Sequence, residues 1–188
     1  YLKTVLKIQE KIQLGEVYEV NYCQEFIAVD VEMSYLLDTY FKLNKITQAP
    51  FSSYIQFDDK AVFCGSPERF LKKKDQHLIS QPIKGTASRG KNELEVAQNI
   101  EKLKSDPKER SENIMIVDLL RNDLSKISKP FSVKVPTLCG LETYANVHHL
   151  VSVVEAQLDE TFDAVDLIKA TFPGGSITGA PKIKAMEI

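Results

Sequence analysis

The stretch FSSYIQFDDKAVFCGSPERFLKKKDQHLISQPIKG, residues 51–85, decides the fold class of this 188-residue chain. Runs rich in aromatic and β-branched residues alternate there with Asp-Asp, Gly-Ser-Pro and Lys-Asp, combinations typical of turns. Short strands joined by tight turns pair antiparallel, whereas parallel strands need a long crossover between them. The rest of the chain shows no strict alternation of strand and helix. We therefore predict an α/β (α+β) fold with a largely antiparallel sheet.

Helical and strand patterns surround this meander. Apolar residues recur at helical spacing from 2 to 13, and Gly15 follows where a left-handed helix end is expected. Residues 17–28 alternate instead, which predicts a strand with Glu19 and Asn21 on a polar face that a site could use. By the same reasoning we predict helices over 32–44, 92–105, 107–122 and 163–173, and strands over 131–138 and 144–158.

Composition and charge exclude several classes of protein. The net charge of −2 lacks the basic excess of proteins that bind nucleic acid or anionic membranes, so we expect neither partner. No apolar run approaches the ~20 residues of a membrane span, residues 1–10 lack the apolar centre of a signal peptide, and we expect a cytoplasmic protein. The length suits one domain over residues 1–188. Because the chain starts without Met and stops within a helical pattern, we expect a piece of a longer protein.

Two carboxylates lie three residues apart in ERSE, at Glu109 and Glu112. On a helix this spacing brings both to one face, about one turn apart. Mg²⁺ binds through one or two carboxylates and keeps waters, so the pair could hold that ion. A charged first turn that faces solvent and interacts with the helix dipole explains the same spacing.

The segment FPGGSITGAPK, residues 172–182, combines glycines with a helix start. Gly174, Gly175 and Gly179 allow backbone N–H groups to approach a ligand, and the positive end of a helix after Pro181 favours an anion. The segment lacks the Gly-Lys-Ser/Thr end of a phosphate-binding P-loop. It is either a carboxylate or phosphate cradle or a structural turn.

Other polar residues allow both a structural role and a site role. His148 and His149 point to opposite faces of a strand, so at most one of them enters a given site. No third ligand lies at metal spacing, and a zinc site is disfavoured. Glu68 follows a turn and is either an exposed cap or a site carboxylate. Lys84, between Pro82 and Gly85, is a surface charge, an anion-binding charge or a nucleophile.

Taken together, the segments GEVYEVNYCQEF, SPERF, PIKGTASRG, ERSENIMIVDLLRNDL, VHHLVS and FPGGSITGAPKIKAMEI resemble, in this order, those of the chorismate-utilising enzymes. The resemblance covers nearly all of the chain. It implies two packed β-sheets flanked by helices, and a cleft where Mg²⁺ holds a carboxylate of chorismate. The resemblance further implies roles for particular side chains: metal ligation for Glu109 and Glu112, an active-site histidine at His149, and substrate binding by Gly174, Gly175, Ser176 and Lys182.

The chain also departs from the family pattern. Further metal-binding acids of the family follow an AMEI-like segment, which here ends at Ile188. If this were the whole protein, its metal site would be half built and it would be an inactive ligand-binding or partner-binding relative. Members that add water to chorismate carry a lysine where this chain has Glu19, which argues against that branch.

Two branches remain, and both transfer an amino group to chorismate. Aminodeoxychorismate synthases resemble this chain in the lysine of PIKGT, where anthranilate synthases usually have alanine, so the first branch is favoured and the second is the alternative. The resemblance then implies that Lys84 attacks C2 of chorismate, that His149 or Glu68 transfers protons, and that Thr86 binds the substrate. Ammonia is expected from a glutamine amidotransferase subunit.

Overall fold

A computed structural model describes residues 1–188 except Glu32 and Ser34. Its helices are α1 (Leu2–Gln13), α2 (Leu36–Thr47), α3 (Glu93–Ser105), α4 (Pro107–Ser125), α5 (Ala164–Thr171), α6 (Gly175–Thr178) and α7 (Lys182–Glu187). Its strands are β1 (Glu19–Val20), β2 (Phe51–Phe57), β3 (Lys60–Ser66), β4 (Arg69–Lys74), β5 (His77–Gln81), β6 (Ile83–Ser88), β7 (Lys134–Thr143), β8 (Val147–Gln157) and β9 (Gly179–Ala180). The predicted meander and the α/β class are confirmed.

The chain forms two compact units. The large unit contains Tyr1–Cys23 and Phe70–Ile188, and the small unit is Gln24–Arg69. In the small unit, β2 and β3 form an antiparallel hairpin whose register runs from Phe51 opposite Ser66 to Phe57 opposite Lys60. The prediction of one catalytic domain over residues 1–188 stays a prediction.

A five-stranded antiparallel sheet is the centre of the large unit. Strand β8 pairs along one edge with β7, and along the other with β6 near its start and β5 near its end. The long run of β-branched and apolar residues in β8 suits a strand that has neighbours on both edges. Because β6 and β8 are adjacent, Thr86 and His149, which are 63 residues apart in sequence, lie opposite each other there.

Helix α4 packs across this sheet and forms the core. Pro107 starts the helix, and the Asp106 side chain caps it by accepting hydrogen bonds from the N–H groups of Lys108 and Glu109. The core residues share near-complete burial and lie on α4, β5, β8, α5 and the segments after α4 and β8: Leu78, Ile116, Val117, Leu120, Leu124, Ile127, Val154, Ala156, Leu158 and Leu167. This packing fixes one face of α4 against β6 and β8.

The strand predicted over 17–28 is wrong in extent. Only Glu19 and Val20 pair, with Ala180 and Gly179 of β9, and residues 21–28 have no assigned strand. Alternation alone cannot supply the neighbouring strand whose hydrogen bonds a strand needs. The short β1–β9 pair still holds the Glu19 backbone against the glycine-rich segment.

The other sequence-based bounds differ by a few residues. The helix predicted over 32–44 is α2, Leu36–Thr47, and the predicted positions Glu32 and Ser34 lie outside the described residues. Gly15 has φ +75°, as expected after α1. All three cysteines are free thiols; Cys139 is buried and Cys23 is exposed. No helix in the described part of the chain is long and apolar enough to span a membrane.

Candidate active site

Strand β6 carries two of the predicted site residues, Lys84 and Thr86. Its pairing with β8 shifts between Ile83, opposite Val151, and Thr86, opposite His149, so β6 has one extra residue there. Such a bulge re-aims side chains and strengthens the local twist. The sequence places Gly85 in this bulge with φ +94°, a conformation that a residue with a side chain rarely adopts. The bulge therefore depends on the glycine of the PIKGT segment.

The Lys84 side chain is largely buried and is bound to two polar groups. Its Nζ donates to Glu19 Oε1 at 2.7 Å and lies 3.5 Å from Asn21 Oδ1. The Lys84 and Glu19 side chains are only 15% and 14% exposed. A surface lysine would keep its ammonium group in water, so the interpretation of Lys84 as a merely solubilising charge is wrong.

Helix α4 holds the bulge through a buried asparagine. Asn113 is fully buried, and its Nδ2 donates to the carbonyl oxygens of Lys84 at 3.3 Å and Leu150 at 3.1 Å. Its Oδ1 accepts a hydrogen bond from Ser152 Oγ. A buried amide that is satisfied on both sides fixes its neighbours, because leaving any of these groups unpaired would cost the full desolvation penalty. Asn113 thereby sets the backbone from which Lys84 projects.

His149 lies beside Thr86 on the next strand. Its Nδ1 is 2.9 Å from Thr86 Oγ1, and its ring contacts that of Tyr144 edge to face with centroids 5.6 Å apart. The Tyr144 hydroxyl donates to Glu142 Oε2 at 2.5 Å, and this hydrogen bond, with burial, raises the pKa of Tyr144 to about 12. His148 faces the other way, with Nδ1 2.9 Å from Thr143 Oγ1. The prediction that the two histidines face opposite ways is confirmed.

Burial lowers the pKa of His149. The imidazolium form loses hydration in this position, which outweighs a hydrogen bond with the Gly85 backbone and the charge of Glu142, both of which favour protonation. His149 is therefore mainly neutral near pH 7, and a neutral imidazole can accept a proton.

Because of this shift in the pKa of His149, the free energy of unfolding of the wild-type protein should fall in mild acid. In His149→Gln it should fall by less. An unfolded histidine binds a proton near its ordinary pKa of about 6.5, whereas folded His149 binds it only at lower pH. The unfolded state then binds more protons, so this contribution to stability is fully present above the unfolded pKa and is lost as pH falls toward the folded pKa. Urea unfolding at about pH 7 and about pH 5.5 measures the effect. Half-exposed His77 supplies the control His77→Gln. An identical pH dependence of wild type and His149→Gln would contradict the prediction.

Glu109 and Glu112 lie on the first turns of α4 and have different surroundings. A methyl group built at Gly85 would be 3.3 Å from Glu109 Oε2, so this carboxylate reaches the β6 bulge. The Glu112 side chain is 27% exposed, and its Oε1 is 3.3 Å from Lys108 Nζ. Among the described residues, no group of three or more His, Cys, Asp or Glu side chains could hold a metal ion. Two carboxylates nonetheless fit Mg²⁺, which takes its remaining ligands from water and substrate.

The glycine-rich segment packs tightly against the rest of the large unit. A methyl group built at Gly175 would be 2.8 Å from Leu119 Cδ2, and one at Gly174 would be 3.1 Å from Phe70 Cε2. Ser176 follows in the one-turn helix α6. The close approach that excludes a side chain at Gly175 is to Leu119 of α4, so packing alone explains that glycine.

We accordingly expect Gly175→Val to lower the free energy of unfolding by about 1–3 kcal/mol, the usual cost of overpacking. The added side chain would meet Leu119, because Gly175 is buried and leaves a side chain at that position little open space. Denaturant unfolding measures the loss, and Leu119→Ala combined with Gly175→Val should recover part of it. Wild-type stability of Gly175→Val would contradict the predicted overlap.

Lys182 is bound within the fold. Its Nζ forms an ion pair with Asp123 Oδ2 and donates to the carbonyl oxygen of Thr171 at 2.9 Å. The Asp123 side chain is 2% exposed and also pairs with Lys126 at 2.9 Å. The buried Asp123 carboxylate therefore joins Lys182 and Lys126 within the large unit. A cleft of about 1050 Å³ opens beside Lys182, and its lining among the described residues does not include Lys84, Thr86 or His149.

Glu68 belongs to the small unit. Its backbone N–H donates to Ser66 Oγ at 3.2 Å, in the turn between β3 and β4. Its predicted role in proton transfer stays a prediction. The large unit thus brings together Lys84, Thr86 and His149 along β6 and β8, with Glu109 at the bulge.

Sequence reasoning did not assign site roles to several residues of this region. Glu19 and Asn21 were placed on a polar strand face, but nothing indicated that they contact Lys84. Asn113 lies inside the helical segment ERSEN without a distinguishing pattern. Glu142 and Tyr144 are two apart, which on a strand puts them on one face and was the available signal.

Known proteins resemble this chain throughout. A family model described as chorismate binding enzyme matches residues 1–188. Over 185 residues the chain is 45% identical to aminodeoxychorismate synthase component 1 of Klebsiella aerogenes, covering 97% of this chain and 40% of that protein. It is 38% identical to anthranilate synthase component 1 of Aquifex aeolicus, and the match covers 98% of this chain and 37% of that protein. The crystal structure of anthranilate synthase component I from Streptococcus pneumoniae superposes with a TM-score of 0.76 at 31% identity. The superposition covers 97% of this chain and 39% of that protein. The chain spans about two fifths of the length of the curated relatives it matches.

Proposed function

The chain belongs to the chorismate binding enzyme family, and we propose that its protein is component 1 of an aminodeoxychorismate synthase. The reaction would convert chorismate and ammonia into 4-amino-4-deoxychorismate and water. The observation that carries the proposal is Lys84, which lies largely buried on β6 with its amino group held by Glu19. The relative from Klebsiella aerogenes, at 45% identity, has the same activity in its name.

Lys84 is the proposed nucleophile. Its neutral amine forms a bond to C2 of chorismate while the C4–oxygen bond breaks and the ring double bonds shift by one carbon. The proton that the Lys84 nitrogen loses as it bonds to C2 is transferred to the departing hydroxyl, which leaves as water. Ammonia then bonds to C4, the double bonds shift back, and the Lys84 nitrogen leaves C2. Covalent catalysis of this kind divides one difficult substitution into two easier ones.

His149 is the proposed proton acceptor. Because burial lowers its pKa, His149 is mainly neutral near pH 7 and can take a proton from ammonia as the C4–nitrogen bond forms. The contact between Thr86 Oγ1 and His149 Nδ1 fixes the ring orientation. Thr86 lies two residues from Lys84 and can also donate to the substrate. Glu68 is the proposed alternative to His149 for proton transfer to the departing hydroxyl.

Substrate binding is proposed for the glycine-rich segment. Gly174, Gly175 and Ser176 lie at the start of α6, and the glycines allow a carboxylate of chorismate to approach the backbone closely. Lys182 follows as a cation of the same segment, although its described partners are Asp123 and Thr171.

Mg²⁺ is the proposed cofactor, with Glu109 and Glu112 as ligands. When bound, the ion would neutralise a carboxylate of chorismate and orient the ring. Glu109 next to the β6 bulge and Glu112 one turn later offer the hard oxygen donors that this ion prefers.

The proposed partner is a glutamine amidotransferase subunit that supplies ammonia, since the name component 1 of the relatives implies a second component. The product would feed 4-aminobenzoate and folate synthesis in the cytoplasm.

Product analysis tests the proposal. The intact protein, incubated with chorismate, an ammonium salt and Mg²⁺, should release 4-amino-4-deoxychorismate, identified by liquid chromatography and mass spectrometry. Anthranilate as the sole product would instead favour the activity in the name of the relative from Aquifex aeolicus. Binding of chorismate without either product would indicate an inactive relative.

A further inference from the structure

The contact between Glu19 and Lys84 joins two distant parts of the large unit. The residues are 65 apart in sequence, and the Glu19 Oε1 to Lys84 Nζ distance is 2.7 Å. Asn21 takes part as well, because its Nδ2 donates to Glu19 Oε1 at 3.3 Å and its Oδ1 lies 3.5 Å from Lys84 Nζ. Two oxygen acceptors from one segment thus face the Lys84 amino group.

We propose that Glu19 is a positioning residue that aims the Lys84 amine at chorismate by accepting one of its N–H bonds. The inference rests on the proposed function, in which Lys84 is the nucleophile. A lysine ammonium has three N–H donors. Glu19 and Asn21 accept two, and among the hydrogen bonds of the described residues Lys84 Nζ has no third acceptor. When the third proton passes to water, the lone pair points along the vacated direction while the other two donors remain bound to Glu19 and Asn21.

The burial of Glu19 separates this contact from an ordinary surface ion pair. Glu19 Oε2 is buried and has no hydrogen-bond partner among the described residues. A carboxylate in that environment depends on the groups that contact its other oxygen, because desolvation of the charge is otherwise uncompensated. Lys11 and Glu16 form a pair at the same 2.7 Å, but with side chains that are 42% and 28% exposed.

The backbone around Glu19 is fixed as firmly as its side chain. Glu19 pairs with Ala180, and Asn21 N–H donates to the Thr178 carbonyl oxygen at 3.0 Å. Gly179 permits this approach, because a methyl group there would overlap the Glu19 carbonyl oxygen, and its φ is +138°. Glu19 is therefore a rigid support for Lys84, as an aligned nucleophile requires.

The test compares Glu19→Ala and Glu19→Gln with wild type in the intact protein. We expect Glu19→Ala to slow formation of the Lys84–chorismate adduct and kcat by about 10- to 100-fold, with KM near the wild-type value, because misplacing a reacting group by ~1 Å has effects of that size. Glu19→Gln keeps an acceptor oxygen and should recover most of the lost rate. Glu16→Ala is the matched control and should leave both rates unchanged, since it removes a glutamate at the same distance from a more exposed lysine.

Rapid quenching followed by peptide mass spectrometry gives the adduct rate, and steady-state assays give kcat and KM. If Glu19→Ala fails to fold, Glu19→Asp takes its place, because it keeps the charge and withdraws the acceptor by one methylene. If folded Glu19→Ala or Glu19→Asp forms the adduct at the wild-type rate, the inference about Glu19 is overturned and the proposed function stands. The same holds if Glu19→Gln is as slow as Glu19→Ala. Absence of any adduct in wild type overturns the proposed function, and the inference with it.

Discussion

Lys84→Ala should reduce formation of 4-amino-4-deoxychorismate by on the order of 10³-fold or more, since removing the proposed covalent nucleophile would disable both steps of the substitution. The loss should appear in kcat, while chorismate still binds through groups that the substitution leaves in place. Residual turnover should shift toward amination at C2, because ammonia can then attack the carbon that Lys84 would have occupied. Assays of both products with saturating ammonium measure the loss and the shift.

Intact-protein mass spectrometry gives the direct measurement for Lys84. During turnover, wild type should carry a chorismate-derived adduct that maps to the peptide containing Lys84, and Lys84→Ala should carry none. Lys91→Ala is the control, because Lys91 is an exposed lysine shortly after β6. Wild-type rates in Lys84→Ala without an adduct in wild type would show that Lys84 is not the nucleophile, and the choice between the two branches would lose its main support.

Helices α3, α4 and α5 were predictable because their ends carry local signals. Asn92, Asp106 and Asp163 each cap a helix through the side chain, and Pro107 starts α4. These signals act within three residues, so they are visible in the sequence. The meander was predictable for the same reason, since its turns are marked by polar residues and glycine.

The extent of β1 was not predictable, because pairing is a long-range property. Residues 17–28 alternate throughout, yet only Glu19 and Val20 have a partner strand in the structure. The contact between Glu19 and Lys84 has the same origin. Sequence placed Glu19 on a polar face but could not identify what that face contacts.

The glycines illustrate a second limit. A glycine that admits a ligand and a glycine that admits a neighbouring side chain look alike in sequence. Gly175 packs against Leu119, and Gly179 packs against the Glu19 backbone. The resemblance to chorismate-utilising enzymes predicts a substrate cradle in this segment, whereas the structure adds a packing role that the motif does not contain.

Glu112→Gln should reduce turnover at saturating Mg²⁺ by at least about 100-fold, because the proposed metal site would lose one of its two carboxylates from this chain. The amide keeps the shape of the side chain and one neutral oxygen donor, but it loses the charge that a hard cation prefers. Stability should change little, because Glu112 is partly exposed and its pair with Lys108 lies at the surface.

The dependence of the rate on Mg²⁺ concentration distinguishes a metal ligand from a structural residue. For Glu112→Gln the midpoint of activation should move to higher Mg²⁺, whereas Glu101→Gln, an exposed glutamate on α3, should follow the wild-type curve. Unfolding curves of both variants should match wild type, so that lost turnover cannot be attributed to lost fold. Full wild-type activity in excess chelator would exclude a required metal, and with it the proposed role of Glu109 and Glu112; an unmoved midpoint in Glu112→Gln would exclude Glu112 alone.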